Sequence, residues 1–352
     1  MKTQDKTSHK PRQGVVISGA YGMDNAGDDA VLSAMVAALR RLDRDMPITV
    51  IARQRKKTAQ RFSVAAVGRF DVFGILKAMV RARLFISGGG TLLQNVTSRR
   101  SLWYYLAVIR LAKATGCAVQ LYGCGVGPLR GEWARKTAAE YLNACADVIT
   151  LRDGESMALL QKLGVDKPRL LLAADPALSI RPAVVERERG VGFVLRSWPG
   201  FWAHVPDFAQ AARYAWERYK LPVVFICLGQ GDRQAAQSVC TELGDVPATV
   251  TVDARRVGRM SLVVSMRLHG LIFALGAGCP AAGVSYDPKV GAFCREAGLP
   301  ATDLEDVTGD GLCRLIDQAA RLDGETLSAT LRTLRERELV NARAAAELLA
   351  GD

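Results

Sequence analysis

The chain of 352 residues is 49% hydrophobic and 23% charged, a globular composition long enough for two core-bearing domains, which excludes a single small one. Its apolar stretches, such as Leu102 to Leu111, are broken by Arg or Lys well short of the ~20 residues that cross a bilayer, and Met1 to Arg12 is polar and basic, so neither a membrane span nor a secretory leader is expected. With 47 Lys and Arg against 35 Asp and Glu, the net charge of +12 suits an anionic membrane surface or a phosphorylated substrate; a nucleic-acid partner is not expected, because the basic residues are dispersed and aromatics are only 7%.

In chain order, residues 1–12 read as a disordered basic tail. Short β-branched runs then alternate with amphipathic stretches, the pattern of parallel sheets covered by helices on both faces. Strands are predicted at Val15 to Ser18, Ile48 to Ala52, Leu84 to Ser87, Ala118 to Tyr122, Val148 to Leu151 and Leu170 to Ala173, with helices such as Asp29 to Leu42 and Leu102 to Thr115 between them. The first strand runs into Gly19 to Asp29, where glycines permit a tight turn and acidic residues cap the next helix. The spacing differs from GxGxxG, which disfavours NAD or FAD. Two further strands open into glycines, Gly88-Gly89-Gly90 and Gly123-Cys124-Gly125-Val126-Gly127, read as loops that let a ligand approach backbone N–H groups.

Pro182 and the charges Glu186 to Arg189 then interrupt the pattern. This divides the chain into a Rossmann-like domain over 13–180, a linker over 181–190 and a second Rossmann-like domain over 191–324. Strands are predicted there at Gly192 to Leu195, Val223 to Cys227, Val250 to Asp253, Leu262 to Ser265 and Gly283 to Tyr286, with helices near Asp207 to Tyr219, Ala235 to Leu243 and Leu271 to Ala277. Residues 325–352, rich in Ala, Leu, Arg and Glu, read as a closing helix. The expected fold is α/β, two Rossmann-like domains facing a cleft.

Eight cysteines at irregular spacings, with no CxxC pair and no neighbouring His, read as buried thiols in a reducing compartment rather than metal ligands, so no metal is expected. Of three histidines, His9 lies in the tail and His204 between Trp202 and Pro206, which leaves His269 in Ser265-Met266-Arg267-Leu268-His269-Gly270 at a strand end. Arg267 is two positions away, Lys289 follows the next strand in Ser285-Tyr286-Asp287-Pro288-Lys289, and Arg152 and Arg196 also stand at strand ends. Four cations and one His at edges facing a cleft describe a site for a small, multiply charged anion. For Arg196 alone, a solvated surface charge or an Asp partner is the plainer reading.

The segments GAYGMDNAGDDAVL, FISGGGTLLQNVTSRRSLWYY, LYGCGVGPL, ITLRDGESMALLQKLGV, AADPAL and SMRLHGLIFALGAGCPAAGVSYDPKVGAF resemble, in order and spacing, those of the polysaccharide pyruvyl transferases, specifically the CsaB type that modifies secondary cell-wall polymers. Cys124 stands where such sequences often carry Gln, and Gly270 where Ala is common. The resemblance implies a fold like the two-domain B-type glycosyltransferases, phosphoenolpyruvate as donor, and a lipid-linked, N-acetylmannosamine-containing acceptor in the biogenesis of polymers that anchor surface layers. It assigns Arg267 and His269 to the chemistry and Arg152, Arg267, Lys289 and Arg196 to the donor. No cofactor is implied. The first-domain segments are the expected acceptor side, with Gly22, Asn25, Asp28, Gly89, Gly90, Gln94 and Arg99 as candidates. A cytoplasmic location follows from this reading, with peripheral attachment at the inner membrane face, while a nucleotide-sugar glycosyltransferase is the alternative.

Overall fold

The computed structural model describes residues 12–96, 98–181 and 187–351. The first sheet contains β1 (Val15–Ser18), β2 (Ile48–Ala52), β3 (Ala65–Gly68), β4 (Leu84–Leu93), β5 (Ala118–Val126), β6 (Val148–Leu151) and β7 (Arg169–Leu172). Its helices are α1 (Ala26–Leu42), α2 (Arg55–Phe62), α3 (Val72–Arg81), α4 (Arg99–Ala114), α5 (Glu132–Cys145) and α6 (Gly154–Lys162). All seven strands are parallel, in the order β3-β2-β1-β4-β5-β6-β7. Strands such as Val15–Ser18 and Val148–Leu151 are buried at every position, because helices cover both faces.

The second sheet contains β8 (Val191–Val194), β9 (Val223–Ile226), β10 (Ala248–Thr251), β11 (Leu262–Ser265), β12 (Ala281–Ser285) and β13 (Ala301–Asp303), in the order β10-β9-β8-β11-β12-β13 and again parallel. Its helices are α7 (Val205–Tyr219), α8 (Asp232–Leu243), α9 (Leu268–Gly276), α10 (Pro288–Ala297) and α11 (Gly309–Ala320). The chain is therefore an α/β protein of two Rossmann-like units. Strand order reverses between β1 and β4 in one sheet and between β8 and β11 in the other. At such points connections leave to opposite faces and a crevice opens beyond the strand ends.

The edge strands β3 and β13 have no counterpart in the predicted set. Their Ala-Ala-Val-Gly and Ala-Thr-Asp sequences are small or polar and half-exposed, so they lack the apolar signal of the central strands. The two glycine runs, read as loops, are strand instead: β4 continues to Leu93 and β5 to Val126. Most of the room the glycines leave is taken by the protein itself, Gly90 excepted. A Cβ at Gly89 would overlap Val31, and one at Gly125 would lie 2.7 Å from the Arg152 guanidinium. Arg12, assigned to the disordered tail, donates from Nη2 to the Met79 carbonyl at 2.7 Å; residues 1–11 and the linker positions 182–186 lie outside the described residues.

The last helix, α12 (Gly324–Ala350), follows the second sheet yet packs on the first. Asn341 Nδ2 donates to the Ala174 carbonyl at 2.9 Å, Gln120 Nε2 donates to the Asn341 carbonyl at 3.0 Å, and Arg337 reaches the Ala173 carbonyl from Nε and Nη2 at 3.1 and 2.6 Å. Leu327, Leu331, Leu334 and Ala345 belong to a core cluster that includes Leu32 and Ile86 of the first unit and Leu271 and Ile272 of the second. One apolar cluster thus runs through both units. Among the described residues, no helix is long and apolar enough to cross a membrane.

Candidate functional site

The two reversal points face each other, and the segments leaving β1, β4, β8 and β11 meet there. Asn25 begins α1, its Oδ1 accepting from the Gly27 N–H at 3.0 Å. The next N–H, of Ala26, donates across the cleft to the Leu228 carbonyl at 2.8 Å. On the other side Arg267 occupies the position before α9. Ser265 Oγ accepts from its N–H at 3.1 Å and donates to its carbonyl at 2.7 Å, which holds the turn. His269 follows in the first turn of α9 and projects against α1, where a Cβ on Gly27 would overlap its ring at Nδ1.

Each cation has a defined setting. Arg267 donates from Nη2 to Asp232 Oδ1 at 2.5 Å, while Asp232 Oδ2 accepts from the Leu228 and Gly229 N–H groups, both at 2.9 Å. Burial raises the Asp232 carboxyl above its usual range, and Arg267 opposes that rise. Arg152, 6% exposed, donates from Nη2 to Thr91 Oγ1 at 2.9 Å and from Nη1 to Asp175 Oδ2 at 3.3 Å. Lys289 Nζ donates to Asp287 Oδ2 at 2.8 Å; burial lowers the ammonium pKa, and Asp287 works against that. Arg196 lies 5.2 Å from the Tyr286 ring and 5.7 Å from the Trp198 ring, two rings that themselves pair at 4.8 Å, so it is a cation set beside an aromatic pair in place of the surface charge or Asp pair that its position alone suggests.

Asp175, after β7, joins two of these groups. Its Oδ1 lies 3.7 Å from His269 Nε2 and accepts from the Ala177 N–H at 3.1 Å. Burial by itself would raise this carboxyl, but His269 and Arg152 hold it below its usual range. Asp28 is different: burial raises it, with His269, Lys289 and Arg267 pulling the other way. The Nε–H groups of Arg196 and Arg267 have no protein acceptor, although both are buried. Buried donors of this kind are normally satisfied, and both belong to guanidinium groups of residues that line one cavity, which suits an anionic partner.

Asn25, Asp28, Gly90, Arg152, Arg196, Arg267, His269 and Lys289 all line one cavity of about 90 Å³. The structure thus brings together both catalytic candidates, all four donor candidates and three acceptor candidates. The remaining four stand elsewhere. Gly22 backs onto Gln54, where a Cβ would lie 2.7 Å from the backbone nitrogen, and Gly89 onto Val31. Gln94 Oε1 accepts from the Val96 N–H at 2.8 Å, and Arg99 is an exposed residue at the start of α4.

Thr91, Asp175, Asp232 and Tyr286 were not singled out by sequence reasoning as site residues. Asp175 lies in the segment AADPAL, so a motif signal existed; Asp232 opens a helix in the way many capping carboxylates do, and nothing local marks it. His204 Nδ1 hydrogen-bonds Asp207 Oδ2 at 3.0 Å, away from the cavity. All eight cysteines are free thiols, six buried and Cys240 and Cys313 half-buried. Cys124 is buried on β5, its thiol pushed up to about 12. Among the described residues, no three of His, Cys, Asp and Glu converge as a metal-ligand set.

A family model described as polysaccharide pyruvyl transferase matches residues 25–288. That span contains every residue lining the cavity except Lys289, which lies one position beyond it. No curated protein matches the chain. Among solved structures, Anabaena Alr3699/HepE in complex with UDP and glucose aligns over 97% of this chain and all of its own, with a TM-score of 0.63 at 10% identity. The UDP-GlcNAc 2-epimerase from Methanocaldococcus jannaschii aligns over 92% of this chain and 99% of its own, with a TM-score of 0.63 at 9% identity. The glycotransferase of kitacinnamycin aligns over 97% and 99%, with a TM-score of 0.61 at 14% identity. At such identities the likeness concerns the fold, a two-unit architecture shared with B-type glycosyltransferases and epimerases.

Proposed function

The chain belongs to the polysaccharide pyruvyl transferase family, and from that premise we propose that it moves the enolpyruvyl group of phosphoenolpyruvate onto a saccharide as a pyruvate ketal, releasing phosphate. The observation that carries this reading is the convergence of Arg152, Arg196, Arg267, Lys289 and His269 on one small cavity, with two guanidinium N–H groups lacking protein acceptors. Phosphoenolpyruvate bears a phosphate and a carboxylate; planar, bidentate guanidinium groups suit both, and a lysine supplies a compact additional charge. Arg152 and Arg267 are held by Asp175 and Asp232, so they are positioned before the donor arrives.

In this proposal Asn25, Asp28 and Gly90 form the acceptor side of the same cavity. One sugar hydroxyl attacks C2 while a proton reaches the methylene carbon, which becomes the methyl group. A second hydroxyl then closes the ketal at C2 as the C–O bond to phosphate breaks. The two hydroxyl protons account for the one gained by the methyl and the one carried away by phosphate. His269 moves protons between hydroxyl and phosphate, with the Asp175 carboxylate 3.7 Å from its Nε2. Asp28, raised by burial and lying in the field of His269, is suited to receive the hydroxyl proton. The acceptor in this reading is a lipid-linked, N-acetylmannosamine-containing precursor of a cell-wall polymer.

Mass spectrometry of a lipid-linked disaccharide after incubation with phosphoenolpyruvate should show one added pyruvate ketal and release of phosphate. Phosphoenolpyruvate should also raise the melting temperature, whereas stabilisation by UDP or GDP in its place would favour a nucleotide-sugar transferase. His269→Ala should lower kcat by about 10²–10⁴-fold with the melting temperature little changed. Near wild-type turnover in a folded variant would remove His269 from the chemistry.

A further inference from the structure

The least expected surface is on the first unit, on the sheet face covered by α3, α4 and α5. Helix α3 buries Ile75 and Met79 and leaves Val72, Phe73, Leu76 and Val80 in solvent, and Phe70 stands just before it. Phe70 and Phe73 are 85% and 87% exposed. At about 100° per residue, Val72, Leu76, Val80 and Phe73 fall on one outward arc, and Lys77 and Arg81 come next to it. Such a helix has two apolar faces, one spent on the core and one unspent.

The surroundings are basic. From Arg69 to Trp133 the chain has nine Lys and Arg against two acidic residues, Asp71 and Glu132. Phe70 packs edge-on against Tyr104 of α4, with ring centroids 6.2 Å apart, and Arg69 lies 4.8 Å over the same ring. The exposed Trp103 and Trp133 pair at 4.9 Å on the neighbouring helices of that face. Arg69 also reaches Met23 Sδ at 3.7 Å, and Met23 belongs to the segment that carries Asn25 into the cavity. The apolar face therefore adjoins the acceptor rim.

We propose that Phe70 and the outward face of α3 dock on an anionic lipid bilayer, the aromatic and aliphatic side chains entering the interface while Lys77, Arg81 and the basic residues of α4 meet the headgroups. Exposed apolar side chains beside basic ones, with Trp and Tyr close by, are the composition of an interfacial element. A second copy of this chain fits less well, because it would bring like charges together around the patch. The role of the docking rests on the proposed lipid-linked acceptor, which the bilayer would present at the cavity mouth; the docking itself does not depend on the reaction.

The test is co-sedimentation of the full chain with vesicles of phosphatidylcholine and phosphatidylglycerol in equal parts, and with phosphatidylcholine alone. Strong binding only to the anionic vesicles is expected. Phe70→Ser/Phe73→Ser should weaken it by at least about tenfold, and Lys77→Gln/Arg81→Gln by roughly fivefold per charge, an effect that shrinks at high salt. These positions are exposed, so circular dichroism and phosphate release with a soluble acceptor should be unchanged. Vesicle binding that resists the Phe substitutions overturns the proposal, as does failure of the wild type to bind. A wild-type dimer that the Phe substitutions dissociate also overturns it, in favour of self-association. Absent phosphate release with intact, Phe-dependent vesicle binding would sink the pyruvyl transfer and leave the docking standing.

Discussion

At the scale of single residues, the site depends on contacts that only one side chain can make. Gly27 is the sharpest case, since the His269 ring fills the space a Cβ would need. Gly27→Ala should force the imidazole away from Asp175. Overpacking of this kind costs about 1–3 kcal/mol in stability, and a displacement near 1 Å can lower turnover by ~10²-fold. The expected outcome is a modest fall in melting temperature with a much larger fall in kcat, and phosphoenolpyruvate binding largely kept. Turnover within a factor of a few of wild type would show that the ring has no demanding position. Arg267 is a less clean probe, because its loss would leave Asp232 as a buried charge without its cation and would cost about 3–5 kcal/mol.

At the scale of elements, α12 does more than close the chain. It lies on the first sheet and, through Arg337, Asn341 and Arg335, holds the carbonyls of Ala173, Ala174 and Leu178 on either side of Asp175. The same helix carries Glu338, 3% exposed, whose carboxyl is pushed up to about 7 by burial, with Arg41 opposing and Asp175 adding to the rise. The folded pKa therefore lies above the unfolded value, and the folded state binds more protons between roughly pH 4.5 and 7. Stability from this group is present below that window and is lost as pH rises through it. Glu338→Gln should stabilise the protein by on the order of 1–3 kcal/mol near pH 8 and change little near pH 5. Calorimetry at the two pH values decides it; a difference independent of pH would rule out a titrating Glu338.

At the scale of the molecule, the two units share a core cluster, a cross-cleft backbone hydrogen bond from Ala26 to Leu228, and the returning helix α12. Interfaces between domains in one chain are often small and polar, which leaves the domains free to move and to melt separately. Here the connection is apolar and extensive. Thermal unfolding should be one transition with calorimetric and van't Hoff enthalpies in agreement. Two resolved transitions would mean that the units are thermodynamically independent. The cavity draws residues from both units, so its geometry requires that they stay packed together.

The chain's own pattern determined the α/β class, the central strands and the positions of Arg152, Arg196, Arg267, His269 and Lys289 at strand ends, because a doubly covered parallel strand must be continuously apolar and its carboxyl end must be where polarity resumes. The cap of α1 was not legible: acidic residues were expected there, whereas Asn25 caps the helix and Asp28 and Asp29 lie in its first turn, because the exact start of a helix depends on where the preceding turn delivers the chain. The edge strands were not, since half-exposed Ala, Gly and Thr carry no periodic signal. The glycine runs were misread as loops because a sequence does not say which neighbour fills the space that a missing side chain leaves; Val31 and Arg152 do. Only the tertiary structure decided that Asp175 joins His269 to Arg152, that Asp232 holds Arg267, that Gly22, Gly89, Gln94 and Arg99 stand outside the cavity, and that α12 crosses back to the first unit. Each of these is a pairing between residues far apart in the chain, set by how two sheets and their helices pack, and no local preference encodes it.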